Sequence, residues 1–217
     1  MTLNAGKANK CKIIGIAGNK GEGKDTCAVC MREYYESLGL KVKILHFADS
    51  IKHGLSTMLN VDTSVFFDQN LKEKPLLGFD KVNTPRYTMQ YVGTQVFQKL
   101  FGKNVWCNSL YNQITTQRYT ELYDVILIPD VRFSSEVKFI KKVMNGKIVF
   151  IKKQEYSEFN NTLNKIFYFF KEFKKHKSER WIYSMYKDSD FWIANTGDLR
   201  FLKNRTFLLC LKIDTSL

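Results

Sequence analysis

The sequence predicts an α/β fold in which a central parallel sheet lies between helices, in three layers. Two observations carry that expectation. Short continuous apolar runs alternate with amphipathic stretches along the 217 residues, and a glycine-rich loop joins the first apolar run to the first helical stretch. Strands buried on both faces read as unbroken apolar segments, and right-handed helical crossovers between them cover those faces.

Taken in order, residues 11–17 form the first strand and the amphipathic stretch through Leu38 the first helix, with Gly39 as its C-terminal stop. Residues 41–47 read as a second strand and 50–59 as a helix. Residues 60–83 show no regular pattern. Thr84 then supplies an N-cap and Pro85 a first-turn proline for a helix running to Phe101, before Gly102. A further helix covers about 105–117. The apolar run 125–129 is a central strand, 134–144 a helix, 146–151 another strand and 190–194 a fifth. In a parallel sheet of this kind ligands sit at the carboxyl ends of the strands.

The chain is expected to be a single domain, 1–217, because its length suits one full core and 44% hydrophobic with 25% charged residues is the balance of a folded protein. The five cysteines, Cys11, Cys27, Cys30, Cys107 and Cys210, are an odd, scattered set, and no apolar run opens the chain. Reduced thiols in a cytoplasmic compartment are expected. Cys27 and Cys30 form a C-x-x-C inside the first helix, where small buried side chains suffice; a zinc site needs a second ligand pair. The longest apolar runs fall well short of the ~20 residues that span a bilayer. The formal net charge of +13 calls for an anionic partner, either nucleic acid or nucleotides drawn into a focused field.

The most specific motif is Gly18-Asn19-Lys20-Gly21-Glu22-Gly23-Lys24-Asp25-Thr26, a G-x-x-x-x-G-K (Walker A) loop between an apolar strand and a helix. Its glycines turn backbone N–H groups inward around phosphates, the helix N-terminus adds its dipole, and Lys24 reaches the β- and γ-phosphates of ATP. Thr26 is the expected Mg2+ ligand, displaced by one residue from the strict motif because Asp25 intervenes. Without a ligand Lys24 is expected to face solvent. Glu22 is out of place beside phosphates unless it too points to solvent.

A second constellation is Asp130 and Arg132 at the end of the 125–129 strand. Asp130 suits Mg2+ orientation or proton acceptance, and Arg132 a bidentate phosphate clamp; a local ion pair is the alternative. A third is the helix carrying Arg86, Gln90 and Thr94 every four residues, one polar stripe that is either a solvated face or a row of donors for phosphate, base and sugar.

With these residues in view, the chain resembles the bacteriophage-type deoxynucleoside monophosphate kinases. The resemblance rests on Gly-Lys-Asp-Thr-x-Ala at 23–28, Phe47-Ala48-Asp49-x-x-Lys52, Thr84-Pro85-Arg86-x-x-x-Gln90-x-x-Gly93-Thr94, Trp106, Pro129-Asp130-Val131-Arg132-Phe133-x-x-Glu136, His176-x-Ser178-Glu179 and Asn195-x-Gly197. It implies an adenylate-kinase-like P-loop NTPase fold and ATP-dependent conversion of a deoxynucleoside monophosphate to the diphosphate. It places Asp49, Lys52, Arg86, Gln90, Thr94, Trp106, Arg132 and Glu136 on the acceptor side. Two departures stand out: Gly21-Glu22 where the family commonly has a basic, serine-containing loop, and Lys152-Lys153 where it has an arginine.

On this reading Lys24, Asp130 and Arg132 are the catalytic residues, Thr26 and Asp130 hold Mg2+, and 60–118 is the acceptor-binding helical region. Residues 152–177, where lysines interleave with phenylalanines and tyrosines, form a lid in which Lys152, Lys153 and His176 face the phosphates. The partners are small-molecule nucleotides, with no membrane and no nucleic-acid motif; a homodimer is compatible. The rivals are kinases of dephospho-coenzyme A or phosphomevalonate, and an ATP-regulated nucleic-acid-binding module.

Overall fold

The structure, a computed structural model, describes residues 11–79, 81, 83–153 and 185–216. The chain divides into two compact units, residues 1–45 with 114–217, and residues 46–113.

The first unit is built on a sheet of five parallel strands: β1 (Lys12–Ala17), β2 (Val42–Ile44), β3 (Val125–Val131), β4 (Lys147–Lys153) and β5 (Phe191–Asn195). Their order is β2-β3-β1-β4-β5, so β1 is central and the connection out of it lies where the strand order reverses. Alternation of side chains sorts the core into two layers. Ile14, Ile16, Val125, Leu127, Val149, Ile151 and Ile193 pack with α1 (Lys24–Ser37) and with a long C-terminal helix, Leu199–Thr215. On the opposite face Gly15 lets the helix Ser134–Lys142 approach: a Cβ at Gly15 would stand 2.7 Å from Ile140 Cδ1. The three-layer α/β architecture expected from the sequence is thus present, with buried β3 and β4 extending to Val131 and Lys153.

At the amino ends of the strands Lys12 Nζ pairs with Asp214 at 2.6 Å, and Asp214 also accepts from the hydroxyls of Tyr34 and Tyr35. This ties the C-terminal helix to β1 and α1. Cys27 and Cys210 are buried thiols whose pKa burial pushes up to about 12, and none of the five cysteines is joined in a disulfide.

The second unit is helical. It holds α2 (Asp49–Leu59), α3 (Ser64–Phe67), a 3-10 turn (Leu71–Glu73), α4 (Pro85–Tyr91), a π-helical segment (Val92–Phe97) and α5 (Gln98–Phe101). Helix α6 (Val105–Thr116) follows and crosses the boundary; α7 (Tyr119–Leu122) precedes β3 in the first unit. The helix Ser134–Lys142 is α8 and the C-terminal one α9. Ile51, Leu55 and Phe66 form the centre of the second unit, with Val61, Met89, Val92 and Trp106 packed around them. Thr84 caps α4 by accepting from the Tyr87 N–H at 3.2 Å, with Pro85 in the first turn, as the sequence indicates.

Three expectations are corrected. The span 60–83 contains α3 and the 3-10 turn. Only Val42–Ile44 of the expected second strand pairs in the sheet. The helix expected to run unbroken from Pro85 to Phe101 widens into a π segment at Val92–Phe97, where Gly93 comes close to its neighbours: a Cβ there would lie 3.2 Å from Ile51 Cδ1 and 3.7 Å from the Trp106 indole.

Candidate active site

The glycine loop leaves β1 at the centre of the sheet, and the carboxyl ends of β3, β4 and β5 deliver the groups beside it. Gly23 is the N-cap of the 14-residue α1, with φ 95° and no side-chain cap, so the helix opens with its first N–H groups uncovered by any capping side chain. Gly18 lies against β4; a Cβ there would stand 2.5 Å from the Ile151 carbonyl oxygen.

Lys24 does not face solvent. It is 6% exposed, and its ammonium donates to the carbonyls of Gly18 at 2.9 Å and Asn19 at 2.5 Å. The reason is geometric: the first residue of α1 points back over the loop it closes. Burial pushes its pKa down, the Arg132 guanidinium adds to that, and Asp25, Glu22 and Asp130 oppose it. The charges assigned to catalysis therefore act on one another. Thr26, Asp25 and Arg132 are exposed and Asp130 is half-buried.

Glu22 is turned aside from the loop interior and accepts the main-chain N–H of Lys153 at the end of β4. Its carbonyl accepts from Asn195 Nδ2 at 3.0 Å, while Asn195 Oδ1 takes the Gly197 N–H at 2.9 Å. Asn195 was legible only as part of an Asn-x-Gly string with no role attached. Lys152 is half-buried and Lys153 exposed at the end of β4; His176 and the expected lid from 154 onward lie outside the described residues.

Arg132 opens the turn into α8, and Glu136 organises that turn. The buried Glu136 carboxylate accepts the N–H groups of Arg132 at 2.7 Å and Phe133 at 3.0 Å. Burial pushes its pKa up to about 7, against the two N–H bonds that pull it down, with Asp130 raising and Arg132 lowering it.

The remaining acceptor-side positions belong to the second unit. Asp49, at the start of α2, accepts from Lys52 Nζ at 2.9 Å and lies 3.2 Å from His46 Nδ1. Burial raises its pKa, but the His46 and Lys52 contacts outweigh it and hold the carboxyl at about 2. Lys52 also sits over the Phe67 ring at 4.4 Å. Arg86 Nε donates to Glu73 at 2.5 Å. Gln90 and Thr94 are exposed, the Thr94 hydroxyl donating to the Gln90 carbonyl at 2.7 Å, and Trp106 is half-buried against Gly93 and Phe97. The partners His46, Glu73 and Phe67 are additions that the polar-stripe pattern did not reveal.

Residues 81–205 match the family model of deoxynucleotide monophosphate kinase, more than half of the chain. The chain belongs to the deoxynucleotide monophosphate kinase family. This kinase is a phosphotransferase, and its acceptor is a deoxynucleoside monophosphate. Among solved structures it is similar to dephospho-CoA kinase from Campylobacter jejuni, with TM-score 0.47 and 15% identity over 94% of this chain and 98% of that one. It is also similar to shikimate kinase from Aquifex aeolicus, with TM-score 0.39 and 11% identity over 94% and 98%. A shikimate kinase from Acinetobacter baumannii in complex with shikimate gives 0.37 and 13% over 95% and 96%. The family assignment rests on the family model and not on these likenesses. No curated protein matches the kinase. Among its described residues no helix is long and apolar enough to cross a membrane.

Proposed function

We propose that the kinase transfers the γ-phosphoryl of ATP to its monophosphate acceptor with Lys24, Asp130 and Arg132 at the reacting phosphates. The single observation that carries this is the buried Lys24 ammonium, held over the glycine loop by the Gly18 and Asn19 carbonyls and feeling the charges of Arg132 and Asp130 from the end of β3. Residues 18–26 cradle the ATP phosphates through loop and helix N–H groups. Lys24, already desolvated, exchanges its two loop carbonyls for phosphate oxygens. A cation held so close to its anchor follows the transferring group with little rearrangement, which is where electrostatic catalysis gains most.

Thr26 and Asp130 are hard oxygen donors, one exposed in the first turn of α1 and one at the end of β3, and this donor set suits Mg2+ shared with phosphates. When bound, Mg2+ neutralises charge on the phosphate oxygens. Arg132, set by Glu136, clamps the acceptor phosphate. Asp49, Lys52, Arg86, Gln90, Thr94 and Trp106 recognise the rest of the acceptor, and Lys152, Lys153 and His176 serve the lid. The +13 charge draws in both nucleotides, and the kinase works in a reducing, cytoplasmic setting. It needs no nucleic acid and is free to act as a homodimer.

A coupled ADP-release assay across deoxy- and ribonucleoside monophosphates, with dephospho-coenzyme A and phosphomevalonate as controls, tests the assignment. Turnover with at least one deoxynucleoside monophosphate and none with the controls is expected.

A further inference from the structure

Two tethers tie the phosphate loop to the carboxyl ends of the neighbouring strands β4 and β5. One is the Glu22 carboxylate on the Lys153 N–H; the other is Asn195, at the end of β5, on the Glu22 carbonyl at 3.0 Å. Asn195 is 8% exposed and so is shielded from water that would substitute for its bonds. The Gly197 N–H on Oδ1 fixes which way the carboxamide faces and points Nδ2 at the loop. The fit is close: a Cβ on Gly23 would stand 2.5 Å from Asn195 Nδ2. The Glu22–Gly23 peptide leads into Gly23, the N-cap of α1, one peptide before Lys24, so its orientation bears on both the α1 N-terminus and the root of the lysine.

We propose that Asn195 is a positioning residue for ATP, clamping the Glu22–Gly23 peptide so that the loop N–H groups and Lys24 are preset for the triphosphate, and that Glu22 is the second clamp. Glu22 thereby has a use in a loop where its charge is otherwise unfavourable. The inference rests on reading residues 18–26 as the ATP cradle.

Asn195→Asp separates the two bonds: it keeps an acceptor for Gly197 and replaces the donor to the Glu22 carbonyl with an oxygen. Loss of that buried bond is expected to raise KM for ATP, and Kd for a non-hydrolysable ATP analogue, roughly tenfold. KM for the monophosphate should stay within about twofold, since a KM change confined to ATP reports the donor site alone. Unchanged ATP-analogue affinity, or equal losses for both substrates, overturns the proposal. If the variant does not fold by thermal melting, Asn195→Ser takes the same measurements and the same outcomes decide. Lys24→Met, run in parallel, separates the two levels of the argument. Full activity in that variant overturns the ATP-cradle reading itself, whereas its inactivity beside an Asn195→Asp enzyme with normal ATP affinity overturns only the role of Asn195.

Discussion

The Glu136 carboxylate accepts the main-chain N–H of Arg132 at 2.7 Å, four residues upstream, and so fixes the turn from which the proposed phosphate clamp projects. Burial pushes that carboxyl from its ordinary 4.5 up to about 7, so the folded protein favours its protonated form. The sign follows by linkage: the stabilising contribution is complete below about pH 4.5 and is lost as pH rises through 7. Glu136→Gln keeps a carbonyl acceptor for both N–H groups and cannot titrate. Its melting temperature is expected to lack the decline that wild type shows between those pH values, relative to the rest of the profile. Glu136→Ala loses the cap and should cost about 0.5–2 kcal/mol in denaturant unfolding while lowering kcat.

Lys24→Met retains the buried stem and removes the ammonium. Turnover should fall by about 10²- to 10³-fold or more, the range for removing one preorganised charge from a transition state. Two hydrogen bonds to loop carbonyls go with it, so the melting temperature should drop by a few degrees, roughly 1–2 kcal/mol. Near-normal turnover in an assay of ADP release would remove Lys24 from the chemistry.

Asp49 carries the opposite pH signature to Glu136. Burial works against its charge, yet His46 and Lys52 hold its pKa at about 2, below the ordinary 3.8. Its contribution is therefore present above pH 3.8 and lost as pH falls through 2. Asp49→Asn should be less stable than wild type at neutral pH and show a smaller loss on acidification, as followed by circular dichroism. Because Lys52 loses its 2.9 Å partner, KM for the monophosphate should rise while KM for ATP holds.

How much of this was legible in the sequence depends on whether the signal was local. The runs at β1, β3 and β4 were readable because both faces of those strands are buried, and the loop at 18–26 was readable from spacing and context together. Helix α9 was readable and was missed. Asp198 accepts from the Arg200 and Phe201 N–H groups, and Leu202, Thr206, Leu209, Cys210 and Ile213 follow at helical spacing, but the buried Thr206 interrupts the apolar pattern. The π segment was not readable, since it accompanies the close packing of Gly93 on Ile51 and Trp106, a contact across distant residues. The same holds for Asn195 and Glu22, which are 173 residues apart. Glu136 stands on the acceptor side by the family resemblance alone, and its bonds to the turn were not legible because Phe133-x-x-Glu136 lacks the serine or threonine that makes a capping box obvious.

Arg86→Ala and Arg132→Ala should both impair use of the monophosphate far more than binding of ATP. They differ in what they leave behind. Arg86 pairs with Glu73, and its removal leaves an exposed carboxylate that water solvates at little cost. Arg132 lowers the pKa of both Lys24 and Glu136, so its loss should also shift the pH profile of kcat. A profile unchanged from wild type would place Arg132 outside the reacting centre.

The most severe single change should be Gly18→Ala. The added Cβ would stand 2.5 Å from the Ile151 carbonyl oxygen and 3.2 Å from Ile151 Cγ2, and the residue would keep φ at 154°, where side chains are rarely found. The obstructing atom is backbone of β4, the strand hydrogen-bonded to β1, so it cannot swing aside as a side-chain end would. Either the loop lifts off β4 or the β1–β4 pairing loosens. Lifting the loop moves the Gly18 carbonyl that holds Lys24 at 2.9 Å and displaces the ammonium. The expected result is a loss of about 1–3 kcal/mol in stability with an ATP-binding defect out of proportion to it. Calorimetric titration with a non-hydrolysable ATP analogue, at a temperature where the variant is fully folded, separates the two effects. Binding as tight as wild type there would mean that the loop tolerates the Cβ and that Lys24 is held by something other than the close seating of Gly18 on β4.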